Sequence, residues 1–265
     1  MPIKSSPPHL RAETSVPGIM GTVVLSLLPA IFASFIFEGW NFFRVLIIAL
    51  AVSLFTEWGI QKFFKKNPSL HDISSAVTAL LFSLLIPSTL SSWAVALGAF
   101  FAIAVGKEIF GGLGQNPFNP ALVGTAVLWA SFPAGPETLA GLKVRLFMIG
   151  LGGILLIWRR IISWEIPFLY LASLFAFSWA WGPSGEKLIF SSAALIAAFF
   201  LVTDPVTTPV TRLGMRWFSV AAGLATALFQ QGAGQAAAAT YGVLLMNGFT
   251  PWLDRIFRPS GAKSR

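Results

Sequence analysis

Asn116 and Asn119 each precede a proline, in the run Gly106-Lys107-Glu108-Ile109-Phe110-Gly111-Gly112-Leu113-Gly114-Gln115-Asn116-Pro117-Phe118-Asn119-Pro120. Asparagine before proline makes a strong helix start: the amide accepts from orphan N–H groups, and the proline ring is pre-set for the first turn. If the helix begins at Pro117, Asn116 and Asn119 share a face and could bond the edge of a planar, electron-rich ring. The other reading is that both pairs only shape and cap a broken helix. Gly111 and Gly112 let the backbone approach another helix or a planar ligand closely. Phe110 and Phe118 could stack on such a ring, or pack against lipid and core like other phenylalanines. Lys107 could neutralise a reduced ring or a phosphate, or simply mark a cytoplasmic membrane edge. Backbone donors and a positive dipole end at the helix start suit an anionic or electron-rich group.

A second constellation is Thr203-Asp204-Pro205-Val206-Thr207-Thr208-Pro209-Val210-Thr211. Proline pushes the residue before it out of the helix and frees carbonyls near the hydroxyls. Asp204, Thr207 and Thr208 could form a sodium site, hold a ribityl chain or satisfy a helix end, and the residues leave all three open. Asp72, with Ser74, Ser75 and Thr78, reads as a capping cluster or as part of a site. Glu57 could carry a proton or cation, or pair with Lys62, Lys65 and Lys66 at the interface. No residue set asks for a metal assignment.

The elements that must position these residues are membrane helices. Of 265 residues, 55% are hydrophobic and only 11% charged, with a mean hydropathy of +0.76. Soluble domains carry about a quarter charged residues. The net charge of +8 does not point to nucleic acid, because the basic residues lie at the edges of apolar segments. The absence of cysteine excludes disulfides and thiolate-ligated iron–sulfur clusters. His9 and His71 both lie near segment edges, which argues against a bis-histidine haem in the bilayer. The first seventeen residues are polar and proline-rich, so no cleavable signal peptide is expected.

Ten apolar segments are predicted, at 18–37, 41–60, 73–87, 92–109, 118–132, 144–158, 165–182, 188–203, 216–230 and 235–252. Trp40, Trp58, Trp93, Trp158, Trp164, Trp181, Trp217 and Trp252 mark their ends as an interfacial belt would. With a cytoplasmic N-terminus, all but four of the 18 Lys and Arg residues fall inside; the exceptions are Arg44, Lys143, Arg145 and Lys187. Both termini are therefore expected in the cytoplasm. The third and eighth segments are short of the ~20 residues a crossing needs. They begin alike, at Ser74-Ser75-Ala76 and Ser191-Ser192-Ala193, and Gly112-Leu113-Gly114-Gln115 is echoed by Gly232-Ala233-Gly234-Gln235. The expected fold is thus an all-α membrane protein of about ten helices in two inverted five-helix repeats, the third and eighth helices short or broken. The expected organisation is a cytoplasmic tail (1–17), one membrane domain (18–254, with repeats 18–132 and 144–254) and a basic cytoplasmic tail (255–265). Under this topology Asn116, Asn119, Asp204 and Thr207 can converge on one cytoplasmic-facing pocket.

The combination of Asp72-Ile73-Ser74-Ser75-Ala76-Val77-Thr78, the Lys107-to-Gly124 stretch and Thr203-to-Thr211 resembles the NqrB/RnfD family. These are membrane subunits of the sodium-pumping NADH:quinone reductase and of the Rnf ferredoxin:NAD oxidoreductase. The resemblance covers roughly residues 20–258, in the same order and with similar spacing. It implies the ten-helix inverted-repeat fold, a prokaryotic inner-membrane location, bound flavin (FMN or riboflavin), and partner subunits that pass electrons while Na⁺ or H⁺ is moved. It also adds weight to Asn116, Asn119, Asp204 and Asp72 as site residues. Family members usually carry a long segment between the fifth and sixth helices, whose Ser-Gly-Ala-Thr threonine takes FMN through a phosphoester bond. Here that connection is only Phe132 to Val144 and has no such string. The nearest run, Ala237-Ala238-Ala239-Thr240, lies in the tenth segment. No covalent-FMN threonine is identified, and non-covalent flavin is expected. Two other readings stand beside this one: a small-solute or ion channel or transporter on the same scaffold without redox function, and a structural anchor for a redox partner.

Overall fold

The computed structural model describes residues 15–65, 72–132, 140–180 and 191–258. Among these residues there are ten α-helices and no strand. They are α1 (Val16–Glu38), α2 (Trp40–Phe63), α3 (Ser74–Leu85), α4 (Ser92–Ala104), α5 (Pro120–Ser131), α6 (Leu142–Trp158), α7 (Glu165–Ala180), α8 (Ser192–Ile196), α9 (Arg212–Phe229) and α10 (Gln235–Ile256). A π turn, Ala197–Leu201, continues α8, and a 3₁₀ turn, Glu108–Phe110, follows α4. Lys187, Trp181, His71, Lys66 and most of both tails lie outside the described residues.

The ten predicted segments correspond to the ten helices, with boundaries shifted by up to about five residues once the π turn is counted with the eighth; the fourth stops at Ala104 instead of 109 and gives way to the 3₁₀ turn. The fifth helix starts at Pro120 rather than Pro117, because Asn119 supplies the cap and Asn116-Pro117 stays in the connector. The ninth starts at Arg212, where the Thr211 side chain caps Gly214 N. The tenth runs four residues past Trp252, through Pro251, to Ile256.

Val16–Glu38, Trp40–Phe63 and Ser92–Phe110 are long and apolar enough to cross a membrane. Large apolar side chains such as Phe32, Phe55, Phe147, Ile154 and Phe168 are exposed around the bundle. A soluble monomer does not carry so much apolar surface; lipid covers it, and the chain is a multi-pass membrane protein. By contrast α3, of 12 residues, is buried on nearly every face. At ~1.5 Å per residue it spans little more than half of a ~30 Å hydrocarbon core. It and α8 sit at the centre, held by neighbours rather than by lipid.

Four of the neighbour relationships among α1–α5 recur five helices later, while others, such as α1 with α2 and α3 with α4, are closer in the first half. α1 meets α3 as α6 meets α8; α2 meets α4 as α7 meets α9; α3 meets α5 as α8 meets α10; α4 meets α5 as α9 meets α10. Equivalent helices also meet across the centre, in the pairs α1–α6, α3–α8 and α5–α10. Small residues permit the closest crossings. A Cβ on Gly124 of α5 would lie 2.4 Å from the Gly98 carbonyl oxygen of α4, and one on Gly242 of α10 would lie 2.4 Å from Thr226 Oγ1 of α9. Close backbone approach of this kind substitutes for the hydrophobic drive that lipid removes.

At the end of the bundle where α1 finishes and α2 begins, two arginines are consumed internally. Arg44 donates to the carbonyls of Ser88 (2.9 Å) and Leu90 (2.6 Å), beyond the C-terminus of α3. Arg145 pairs with Glu38, both largely buried, and joins the start of α6 to the end of α1.

Candidate functional site

The other end of the bundle carries the motifs. Between α4 and α5 the chain makes the 3₁₀ turn and then reverses through Gly111 (φ 118°), Gly112 (φ 106°) and Gly114 (φ 86°), a region open chiefly to glycine. Gly106 is pressed onto α5, since a Cβ there would lie 2.8 Å from Pro120 Cα. The connector therefore returns directly to the helix it starts.

Asn119 is the cap of α5: its Oδ1 accepts from Ala121 N (3.1 Å) and Leu122 N (3.4 Å). Its Nδ2 donates to Asp204 Oδ2 at 2.9 Å. Asp204 lies just beyond the π turn, where Val202 N reaches back five residues to Ala197 O. Its carboxylate also accepts from Thr207 Oγ1 (3.1 Å) and Val206 N (3.1 Å), while Thr208 Oγ1 donates to the Asp204 carbonyl (2.7 Å). Behind them Asn247 of α10 accepts from Asn119 N (3.1 Å) and donates to Thr207 O (3.2 Å).

Lys107 points inward, 1% exposed, and donates to Glu57 Oε1 (2.5 Å), Ser74 Oγ (2.6 Å) and Ser75 Oγ (3.2 Å). Ser74 in turn donates from Oγ and N to Asp72 Oδ1. Gln61 Nε2 bridges Glu57 and Glu108. A buried ammonium needs this saturation, because an unpaired charge in a low-dielectric interior is costly.

A cleft whose empty space, counted together with the open solvent at its mouth, is about 790 Å³ lies between these clusters. Ligand pockets typically have apolar walls with a few convergent polar groups. The walls here are Met20, Val23, Leu81, Leu156, Ile162 and Phe200; the polar end comprises Ser74, Thr78, Lys107, Asn116, Asn119, Thr203 and Asp204. Asn116 is buried; its Nδ2 donates to Phe118 O (3.0 Å), but its Oδ1 has no partner. Buried polar atoms are seldom left unsatisfied. Among the side chains that line the cleft, this oxygen is the buried polar atom left without a partner.

The model of the NQR2, RnfD, RnfE family matches residues 3–138 and 137–263, nearly the whole chain. The chain belongs to this family. Three of its relatives are themselves subunits of named complexes. The one from the Na⁺-translocating ferredoxin:NAD⁺ oxidoreductase complex of Acetobacterium woodii is 34% identical over 293 positions, covering 95% of this chain and 92% of that one. The one from the proton-translocating ferredoxin:NAD⁺ oxidoreductase complex of Clostridium ljungdahlii is 31% identical over 312 positions, covering 96% and 94%. The one from the ion-translocating oxidoreductase complex of Mannheimia succiniciproducens is 30% identical over 341 positions, covering 96% of each. These matched lengths exceed the 265 residues present, so the relatives carry residues without a counterpart in this NQR2/RnfD/RnfE member. The two family matches meet at 137–138, inside the short connection between α5 and α6.

The structure brings together four residues that the sequence of this family member singled out along the cleft wall at its polar end: Lys107, Asn116, Asn119 and Asp204, with Thr78 beside them. Thr207 and Thr208 are buried behind Asp204 and brace it. Others are placed differently. Phe110 and Phe118 meet each other, ring centroids 6.4 Å apart, and neither lines the cleft; Phe118 lies against Gly248 of α10. Gly111 and Gly112 serve the reversal instead of lining the cleft, and the Gln115 side chain covers Gly111. Asp72 does not line the cleft; it holds Ser74, which does.

Three expectations need correction. The start of α5 does not present open backbone donors, because Asn119 Oδ1 and Asn247 consume them and Pro120 has none. Lys107 does not reach into the cleft as a free donor, because all three of its N–H groups are engaged. Glu57 is buried away from the interface and forms its ion pair with the equally buried Lys107. Asn247 and Gln61 were missed. Asn247 is the one amide side chain between Ala236 and Trp252 of α10, and Gln61 lies one turn beyond Glu57 on the same face of α2; these are the signals that could have found them.

Proposed function

We propose that this chain is the membrane subunit of an ion-translocating electron-transfer complex of the Rnf type, and that its cleft holds a flavin without a covalent bond. The subunit role rests on the family and on relatives that are themselves complex subunits. Its partners are the other membrane and peripheral subunits and the bilayer. The observation that carries the flavin reading is the buried, unpartnered Asn116 Oδ1 at the polar end of an otherwise apolar cleft.

The residues fit the group. A flavin ring edge carries both an N–H donor and carbonyl acceptors. Asn116 offers an acceptor, and Asn116 and Asn119 each keep one amide hydrogen beyond those already used. The apolar walls suit the ring faces and exclude water. Lys107, already paired with Glu57, and Asp204, held by Asn119, Thr207 and Val206, shape the polar end rather than grip the ligand directly. A bound flavin would supply reversible electron transfer; this chain supplies position, dryness and field. FMN and riboflavin both satisfy this donor set.

The covalent site known from the resemblance has no counterpart among the described residues. Thr240, the nearest match in sequence, is fully buried in α10 and donates to Ala236 O (2.8 Å). The Na⁺-named and proton-named relatives match this chain over nearly equal shares, 95% and 96%, so similarity does not select the ion.

The recurrence of helix neighbours supports two five-helix repeats of inverted topology, since five crossings reverse the second copy. With the basic-rich end in the cytoplasm, the cleft opens toward that side. The test is to compare complexes carrying the wild-type chain or Asn116→Leu. The expected result is loss of flavin absorbance in the variant while the partner subunits still co-purify. Equal flavin in both would refute the assignment of the cleft.

A further inference from the structure

Asn247 lies at the middle of α10, fully buried, and does not line the cleft. Its two amide atoms face opposite demands. Asn119 N can only donate and meets Oδ1 at 3.1 Å; Thr207 O can only accept and meets Nδ2 at 3.2 Å. The orientation of the amide is therefore fixed by its partners. Asn119 and Thr207 both donate to Asp204 Oδ2, at 2.9 and 3.1 Å. The four residues close a ring, Asn247–Asn119–Asp204–Thr207, that joins α5, the segment after α8, and α10. Thr250, three residues further along α10, adds a second donor to Thr207 O (2.8 Å).

Only asparagine meets both demands at this reach. Leucine has the volume but neither group; aspartate keeps the acceptor and loses the donor.

We propose that Asn247 is a positioning residue for the cleft: from behind the wall it sets Asn119 and Asp204, residues contributed by the two halves of the chain, at one fixed separation. Its consequence for ligand binding rests on the flavin reading above, whereas its consequence for the wall does not. When Asn247 is lost, Asn119 N and Thr207 O lose their shared partner, and the Asn119–Asp204 contact is held from one side only.

The experiment therefore has two readouts on the detergent-solubilised complex carrying Asn247→Leu. The first, on flavin-free samples, is amide hydrogen exchange of segments 116–124 and 203–211. The expected result is faster exchange in both segments, with the rest of the bundle unchanged. Unchanged exchange in both, or a uniform rise through every helix, overturns the positioning role. The second is titration with riboflavin or FMN, where binding at least tenfold weaker is expected. Full affinity alongside faster exchange overturns the claim that this ring serves the ligand. Absence of binding in the wild type refutes the flavin reading and leaves the exchange result to decide the role of Asn247. If Asn247→Leu does not assemble, Asn247→Asp is measured the same way, and faster exchange confined to 203–211 is expected because only the donor is lost. Thr250→Val, which leaves Asn247 in place, is the control and is expected to change binding less than threefold; an effect as large as that of Asn247→Leu contradicts the assignment to the amide.

Discussion

Asn119 Nδ2 and Asp204 Oδ2 are 2.9 Å apart although 85 residues separate them in the chain. One residue caps α5 and the other ends the broken eighth helix. Their contact links the two halves of the protein at the polar end of the cleft.

Asn119 has two duties that substitution can separate. Asn119→Ser keeps an oxygen able to cap Ala121 and Leu122 but removes the amide that reaches Asp204; Asn119→Leu removes both. A cap is worth ~1 kcal/mol, and an ordinary side-chain hydrogen bond ~0.5–1.5 kcal/mol. Thermal unfolding in detergent should rank wild type above Asn119→Ser, and Asn119→Ser above Asn119→Leu. Identical melting of the two variants would show that the cap adds nothing.

Lys107 and Glu57 are expected to behave as one unit. Lys107→Met strands a buried carboxylate, which costs ~3–5 kcal/mol. Lys107→Met combined with Glu57→Gln should be less destabilised than the sum of the single changes, with a coupling of at least ~1 kcal/mol. Strict additivity would contradict the pairing at 2.5 Å.

Gly124 fixes the distance between α4 and α5. A Cβ at this position would meet the Gly98 carbonyl oxygen at 2.4 Å and Ala102 Cβ at 2.8 Å. Gly124→Val should cost at least ~1–3 kcal/mol by overpacking, seen as a lower melting temperature and less assembled complex. A variant that melts with the wild type would mean the helices can part without penalty.

The chain has no cysteine, so single-cysteine variants report orientation directly. Lys65 and Lys143 are both exposed. Lys65→Cys should react with an impermeant thiol reagent only from the cytoplasmic side, and Lys143→Cys only from the opposite side. Labelling of both from one side would overturn the topology.

How much of this was legible in the sequence follows from which forces act locally. The ten helices were readable because each apolar run is bounded by charge, proline or tryptophan, signals that lie within a few residues of one another. The meeting of Asn119 with Asp204 was readable in outline, since counting crossings puts both connectors on one side of the membrane. Helix parity could not reveal that Lys107 turns inward. That depends on Glu57, Ser74 and Ser75, brought together with it from α2 and α3. Nor could it choose between Pro117 and Pro120 as the helix start, because both follow an asparagine and only packing against Gly106 and Asn247 selects the second. The partners of Asn247 were hidden for the same reason: they are 128 and 40 residues away.

The central claim is that the cleft carries a non-covalent flavin, and acid precipitation of the purified complex tests it most directly. Flavin in the supernatant from the wild type, reduced in Asn116→Leu complexes that retain every partner, is the expected result. If a folded wild-type complex yields no flavin that depends on Asn116, or holds that flavin in the acid pellet, the assignment of this cleft is contradicted.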